Sequence, residues 1–339
     1  MSLDVRKTLG SGRLATIWTP LLGSRIPVFT LHRFAMPELD VAGHDPRVLR
    51  ATLERLRRDR YALIGLDEAL RCLRDGVAPP ARAVVFTVDD GYVDLAGVGA
   101  DIFLEYDCPA TVFLSTGFVD GALWHWWDEI EHVCLNARRA RLGTDLPLTT
   151  LAERRRAASV LSEHAKRLRE DVKRRFIRAL ARGAEVELPV VPPARYRAIS
   201  WAQARVLERR GLAFAPHTVS HPILARVDDL QAESEIRDSW RTLGDELARP
   251  VPILAYPNGG PDDYGPREFR LLAAAGLAGA MTTTKGYLSG RALRQTPQAW
   301  FQMPRFGFPD DPDRVCLIAS GFERLANLLR RRPAAERAS

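Results

Sequence analysis

Eight short apolar runs recur along the chain, at 26–31, 61–64, 83–88, 110–114, 212–215, 252–255, 277–281 and 301–305. Several are apolar almost throughout, the pattern of parallel strands covered on both faces. Between them the apolar spacing changes to three and four. Residues 45–58 carry Val48, Leu49, Leu53 and Leu56 on one stripe, and 66–73, 201–210 and 229–247 read the same way. These are amphipathic helices. The alternation predicts an α/β protein, a (β/α) barrel of seven or eight strands. The barrel is expected to span 25–309, with an N-terminal extension at 1–24 and a C-terminal helix and disordered tail at 310–339.

One segment breaks the rhythm. Residues 121–195 carry no strand signal and read as a helical insertion between the fourth and fifth strands. Two amphipathic stretches are expected there. The second carries Leu161, Ala165, Leu168, Val172, Phe176 and Leu180 at steps of three and four. Charge changes this picture. The chain has a formal charge of +7, and 151–185 alone holds eleven Arg and Lys against five Asp and Glu. The remainder is close to neutral, which argues against a nucleic-acid binder. The basic helix 151–185 is either a solvated face or a contact for an anionic membrane or a phosphate-bearing carrier. The apolar run 14–22 is too short to span a bilayer and lacks a good cleavage site. A cytoplasmic protein is expected, with peripheral membrane contact through Leu14, Ile17, Trp18 and Leu21 as an option. The four cysteines form no CxxC pair and read as reduced thiols.

Candidate chemistry sits at strand ends, where parallel barrels place their active centres. Thr87-Val88-Asp89-Asp90-Gly91 closes the strongest strand. Two adjacent carboxylates disfavour joint ionisation, and a cation removes that cost; a plain turn is the competing reading. His217-Thr218-Val219-Ser220-His221 follows the 212–215 run. A spacing of four brings both rings to one point if the segment turns helically. One Asp and two His make a facial triad with open positions. Ala255-Tyr256-Pro257-Asn258-Gly259-Gly260 is a rigid turn whose backbone N–H groups suit an oxyanion.

The three motifs, in this order, resemble the first three motifs of the polysaccharide deacetylases, the NodB-homology group or carbohydrate esterase family four. The resemblance implies a deformed (β/α) barrel and metal-dependent hydrolysis of an N- or O-acetylated sugar on a glycan, lipid-linked or nucleotide-linked saccharide. It implies Asp89 as general base, and Asp90, His217 and His221 as ligands of a divalent metal, usually zinc. It also implies the Tyr256 backbone N–H as an oxyanion donor. Pro257 and Asn258 are then expected to touch substrate.

The chain departs from the family pattern in three places, one being that the Asp-rich fourth motif with a nearby Trp is not recognisable. No histidine follows His221, so the late histidine that often serves as general acid is absent. His32, ending the first strand in Leu31-His32-Arg33, is the candidate in its place. No arginine precedes Tyr256 in the third motif, and Arg305 is the candidate to pair with Asp89 in bidentate fashion. Trp124, Trp126 and Trp127 open the insertion. Trp124 and Trp127 are expected to anchor it, and Trp126 to contact sugar. Two alternatives remain at this level: a catalytically impaired glycan-binding barrel, and a metal-free amidohydrolase on the same scaffold.

Overall fold

The computed structural model describes residues 25–121, 123–143 and 146–322. The run 14–22 lies outside them. The first half carries β1 (Arg25–Leu31), α1 (Pro46–Arg58), β2 (Ala62–Leu63), α2 (Leu66–Asp75), β3 (Ala83–Val88), α3 (Ala100–Glu105), β4 (Thr111–Leu114) and α4 (Thr116–Val119). A helical segment follows, with α5 (Trp126–Asn136), β5 (Arg141–Leu142), β6 (Leu146–Pro147), α6 (Leu151–Ala165) and α7 (Glu170–Gly183). The chain then resumes alternation through α8 (Trp201–Arg209), β7 (Ala213–Pro216), α9 (Asp229–Glu246), β8 (Ile253–Ala255), α10 (Pro266–Ala274) and β9 (Gly279–Met281). It closes with β10 (Tyr287–Ser289), α11 (Gly290–Leu293), β11 (Phe306–Gly307) and α12 (Pro312–Ala319).

The strands β1, β3, β4 and β7 pair in parallel in that order, and β8 pairs in parallel with β9. Backbone bonds close these two groups into a ring. Val251 N–H donates to Phe214 O at 2.7 Å, Thr282 N–H to Met303 O at 2.8 Å, and Phe308 N–H to Thr30 O at 2.9 Å. The seam between β7 and β8 is thin, and the barrel is deformed there. The run 301–305 is not a strand as expected. Residues Pro297–Phe301 form a 3-10 turn, Met303 makes an isolated bridge with Met281, and β11 starts only at Phe306. Pro304 has no N–H to continue a ladder through this point. β10, antiparallel to β1, was not visible in the apolar pattern.

Period two sorts the strand side chains. Phe29, Leu31, Val84, Phe86, Val88, Val112, Leu114 and Phe214 pack with Leu49, Leu53 and Leu56 of α1 and Leu207 of α8. Ile26, Val28, Val85, Phe113, Ala215, Ile253, Ala255 and Met281 share the other core. Each buried Val, Leu, Ile, Phe or Met side chain among these contributes roughly 1.5–3 kcal/mol. Continuing the second parity past the strand ends brings Thr30, Thr87, Asp89, His217 and Arg305 to one place.

The helical segment has its own core, including Trp126, Ile130, Leu161, Ala165, Ile177 and Ala181. It holds three helices and a β5–β6 hairpin whose two-residue strands are too short to leave a pattern. The expected single basic helix is broken between Ala165 and Glu170. Unbroken, 151–185 would extend about 50 Å at 1.5 Å per residue. Folding back lets α6 and α7 share one core.

Candidate active site

Asp89 leaves β3 with its N–H bonded to Leu31 O at 2.9 Å. Its two oxygens accept from Arg305 Nη1 at 2.7 Å and Nη2 at 2.8 Å. Arg305 is fully buried, and its remaining donors reach Thr282 O, Thr30 Oγ1 and Thr87 Oγ1 at 3.1–3.2 Å. Burial opposes ionisation of Asp89, but Arg305, then His217 and His32, outweigh it and hold the carboxyl below the usual range. His32 is half exposed, with Nε2 3.8 Å from Asp89 Oδ2.

Asp90 turns into the left-handed region, φ 75°. Gly91 follows at φ 84°, where a Cβ would also lie 2.4 Å from the Leu114 side chain. Asp90 Oδ1 lies 3.5 Å from both His217 Nε2 and His221 Nε2. One donor atom from each of the three residues falls within 4.8 Å of the others. His217 Nδ1 lies 2.7 Å from Ala255 O. That carbonyl can only accept, so Nδ1 carries the proton and Nε2 faces Asp90. Asp90 Oδ1 is buried without a hydrogen-bond partner among the described residues. Despite burial, Asp90 and Asp89 hold His217 above its usual range. Burial, then His217, push His221 well below its own. Such a cluster draws positive charge, and its donor set of two imidazoles and one carboxylate fits a divalent metal.

The two histidines do not converge on a helical turn, as the spacing of four suggested. Residues 217–223 are irregular, with Thr218 at φ 66° and His221 at φ 58°. A β-branched residue in this region is strained, so the loop must be held. His221 N–H bonds Thr218 Oγ1 at 3.1 Å, and Glu235 of α9 accepts from Val219 and Ser220 N–H at 2.8 Å each. Thr116 and Gly117 N–H, at the start of α4, bond Thr218 O at 3.1 Å and Val219 O at 2.9 Å.

At the third motif two expectations change. Tyr256 N–H is already bonded to Met281 O at 3.1 Å, continuing the β8–β9 ladder. It is therefore not a free oxyanion donor. Pro257 is buried and is not among the cavity-lining residues, its carbonyl closing the turn onto Gly259 N–H at 2.7 Å. Asn258, at φ 59°, does line the cavity, and its Nδ2 is buried with no partner among the described residues.

The insertion supplies the facing wall. Trp126 was expected to meet sugar, but it is 1% exposed within the insertion core. Lys173 Nζ sits 4.7 Å from its ring centroid, so Trp126 is an anchor although it borders the cavity. Trp124 is buried and stacks on Tyr196. Trp127, expected as an anchor, is partly exposed and meets the His221 ring edge-on at 4.7 Å. Two adjacent residues at a helix start differ by about 100° around the axis, and sequence alone did not say which faced inward.

Four residues escaped the sequence reading. His125 is fully buried, stacked on Trp127 at 4.4 Å and in contact with Phe118 and His221; burial pushes it down to about 3. Asp128 accepts from Tyr92 OH at 2.6 Å, and Tyr92 OH accepts from Trp127 Nε1 at 2.9 Å. Burial drives the Asp128 carboxyl well above its usual range. Glu235, which fixes the histidine loop, lies on a different helix. Nothing in local spacing marked any of the four. A cavity of about 540 Å³ is lined by Asp89, Asp90, His217 and His221, by Trp126, Trp127 and Asp128 of α5, and by residues of α6.

The polysaccharide deacetylase family matches residues 76–277 of the chain. The chain therefore belongs to this family and is a carbohydrate deacetylase, a hydrolase. Among solved structures it is similar to the Streptococcus pyogenes deacetylase PplD in complex with acetate, at 17% identity and TM-score 0.57, covering 86% of this chain and 97% of that one. IcaB from Ammonifex degensii is similar at 15% identity and TM-score 0.53, covering 88% and 98%. A de-N-acetylase from Aggregatibacter actinomycetemcomitans follows at 12% identity and TM-score 0.53, covering 84% and 95%. At these identities the likeness concerns the fold, the deformed (β/α) barrel. No curated protein matches the chain.

Proposed function

We propose that the protein removes acetyl groups from an N- or O-acetylated saccharide with the help of one divalent ion, zinc before other metals, held by Asp90, His217 and His221. One observation carries this reading: three buried donor atoms converge within 4.8 Å beside a carboxylate clamped by a buried arginine. A divalent ion held by these three residues would supply an acidified water and would polarise the acyl carbonyl. Asp89 takes the proton of the attacking water. Arg305 holds both Asp89 oxygens, keeping the base ionised and aimed. The Asn258 amide donates to the carbonyl oxygen as it gains charge, a role suited to its unpartnered Nδ2. His32 gives a proton to the departing amine or alkoxide, leaving acetate and a free amino or hydroxyl sugar.

The same reading places the protein in the cytoplasm, in peripheral contact with an anionic membrane or a phosphate-bearing carrier through the basic stretch 151–185. Among the described residues no helix is long and apolar enough to cross a membrane. Acetate release from acetylated oligosaccharides, with and without chelator, tests the reading. We expect release to stop on chelation and return with zinc. Undiminished release in excess chelator would refute the metal mechanism.

A further inference from the structure

The two faces of α6 differ. Ala157, Leu161 and Ala165 enter the insertion core. Arg155, Ser159, Ser162 and Lys166 line the cavity instead, at steps of four, three and four that form one continuous stripe. All four are hydrogen-bond donors and none is acidic; Ala158 is the apolar residue of α6 that lines the cavity beside them. Much of the basic run is engaged elsewhere. Arg154 donates to the carbonyls of Cys134, Leu135 and Ala137, Lys173 and Arg174 pair with Glu170, and Arg175 pairs with Asp171.

Arg195 lines the same cavity. Its Nη1 lies 2.6 Å from Asp40 Oδ2, and Arg155 Nη2 lies 3.8 Å from Asp40 Oδ1. A carboxylate from an exposed loop thus already sits between the two guanidiniums. The other acidic neighbours are Glu131, 3.8 Å from Arg195, and Glu163, 2.6 Å from Lys166. A solvated basic face would turn these donors to bulk water. Here they line the same cavity as Asp89 and Asp90.

We infer that this part of the cavity wall is an anion subsite, where Arg155, Arg195 and Lys166, with the Ser159 and Ser162 hydroxyls, receive a phosphate or carboxylate borne by the acetylated sugar in place of Asp40. The inference rests on the proposed deacetylase reading and narrows its substrate to an anionic saccharide. Guanidinium forks suit oxyanions in bidentate geometry, and lysine adds a point charge.

The test uses the full-length, zinc-loaded protein and calorimetric titration with three probes: N-acetylglucosamine, N-acetylglucosamine 1-phosphate and N-acetylmuramic acid. The neutral sugar is the reference, and the other two separate phosphate from carboxylate. At least one anionic probe is expected to bind about tenfold tighter than the neutral sugar, a charge-assisted contact. Arg155→Gln with Lys166→Gln should cut that advantage to about twofold, and Asp40→Asn should increase it, since the competing carboxylate is gone. Equal binding of all three probes overturns the subsite. So does an advantage that survives the double substitution, which would mark contact with the metal alone. Acetate release from a neutral acetylated chitooligosaccharide is read separately. Its failure, with the anion advantage intact, would strike the deacetylase reading and leave the subsite standing.

Discussion

Arg305 pairs with Asp89 at the strand ends, and Arg155 lines the cavity from the insertion. Arg305 has no exposed surface, and its donors reach Asp89, Thr30, Thr87 and a backbone carbonyl. The Arg155 side chain is 48% exposed, and its ion-pair partner is a loop carboxylate at 3.8 Å. The first belongs to a rim built from strand ends and locked by mutual hydrogen bonds. The second belongs to a helical segment in which several charges are paired locally and a few line the cavity. Burial makes the difference physical. Removing one partner from a buried pair strands the other charge, whereas an exposed pair is worth little. The rim can therefore keep its chemistry fixed while the insertion varies in what it receives.

The largest effect is expected at the rim. Arg305→Met should cost about 3–5 kcal/mol of stability by stranding Asp89, while Arg155→Gln should cost about 0.5 kcal/mol or less. Chemical denaturation of both variants checks this, and equal costs would break the contrast. Arg305→Met should also move the acid limb of the activity profile upward. Asp89 is held below its usual range, so it remains ionised as pH falls, and without Arg305 it protonates sooner.

An intermediate effect belongs to His125, where insertion and rim touch. Its folded value, about 3, lies below the ordinary 6.5. The unfolded chain therefore takes up the proton first as pH falls. The stability this group contributes is complete above about pH 6.5 and is lost towards pH 3, at about 1.4 kcal/mol per pH unit. His125→Phe should flatten the fall of the melting temperature over that range. An unchanged slope would show that other groups govern it.

The smallest effect is expected at Asp128. An amide keeps an oxygen to accept from Tyr92 OH and buries no charge, so Asp128→Asn should stay within about 1 kcal/mol of the parent. Asp128→Ala leaves Tyr92 OH without its acceptor and should cost about 1–3 kcal/mol. Thermal unfolding of the pair separates the cases, and a costly Asn would mean that Asp128 is ionised in the fold.

The strand ends that carry Asp89 and His217 were legible in the sequence, because the apolar runs mark where each strand stops; which side chains turn inward was not, since runs apolar on both faces carry no period of two. The barrel followed from the alternation of those runs with amphipathic helices. What sequence did not show depends on left-handed backbone and on partners distant along the chain. Thr218 and His221 take positive φ values that no spacing announces, and Glu235 holds their loop from α9. Pro304 was readable, yet its effect on the last strand showed only against the neighbouring ladder. The Trp126–Trp127 pair changed places because the insertion core decides which ring is covered. Tyr256 lost its expected donor role because the β8–β9 ladder extends one residue further than the apolar run.

The most direct test of the central claim is to measure bound zinc and acetate release in the same preparations of the parent protein, Asp89→Asn and Asp90→Ala. The parent should hold about one ion per chain and release acetate. Asp89→Asn should keep the ion and lose about 10²–10⁴-fold in turnover, the scale of general base catalysis. Asp90→Ala should lose both. Full turnover in Asp89→Asn, or a retained ion with full turnover in Asp90→Ala, would contradict the assignment of base and ligands.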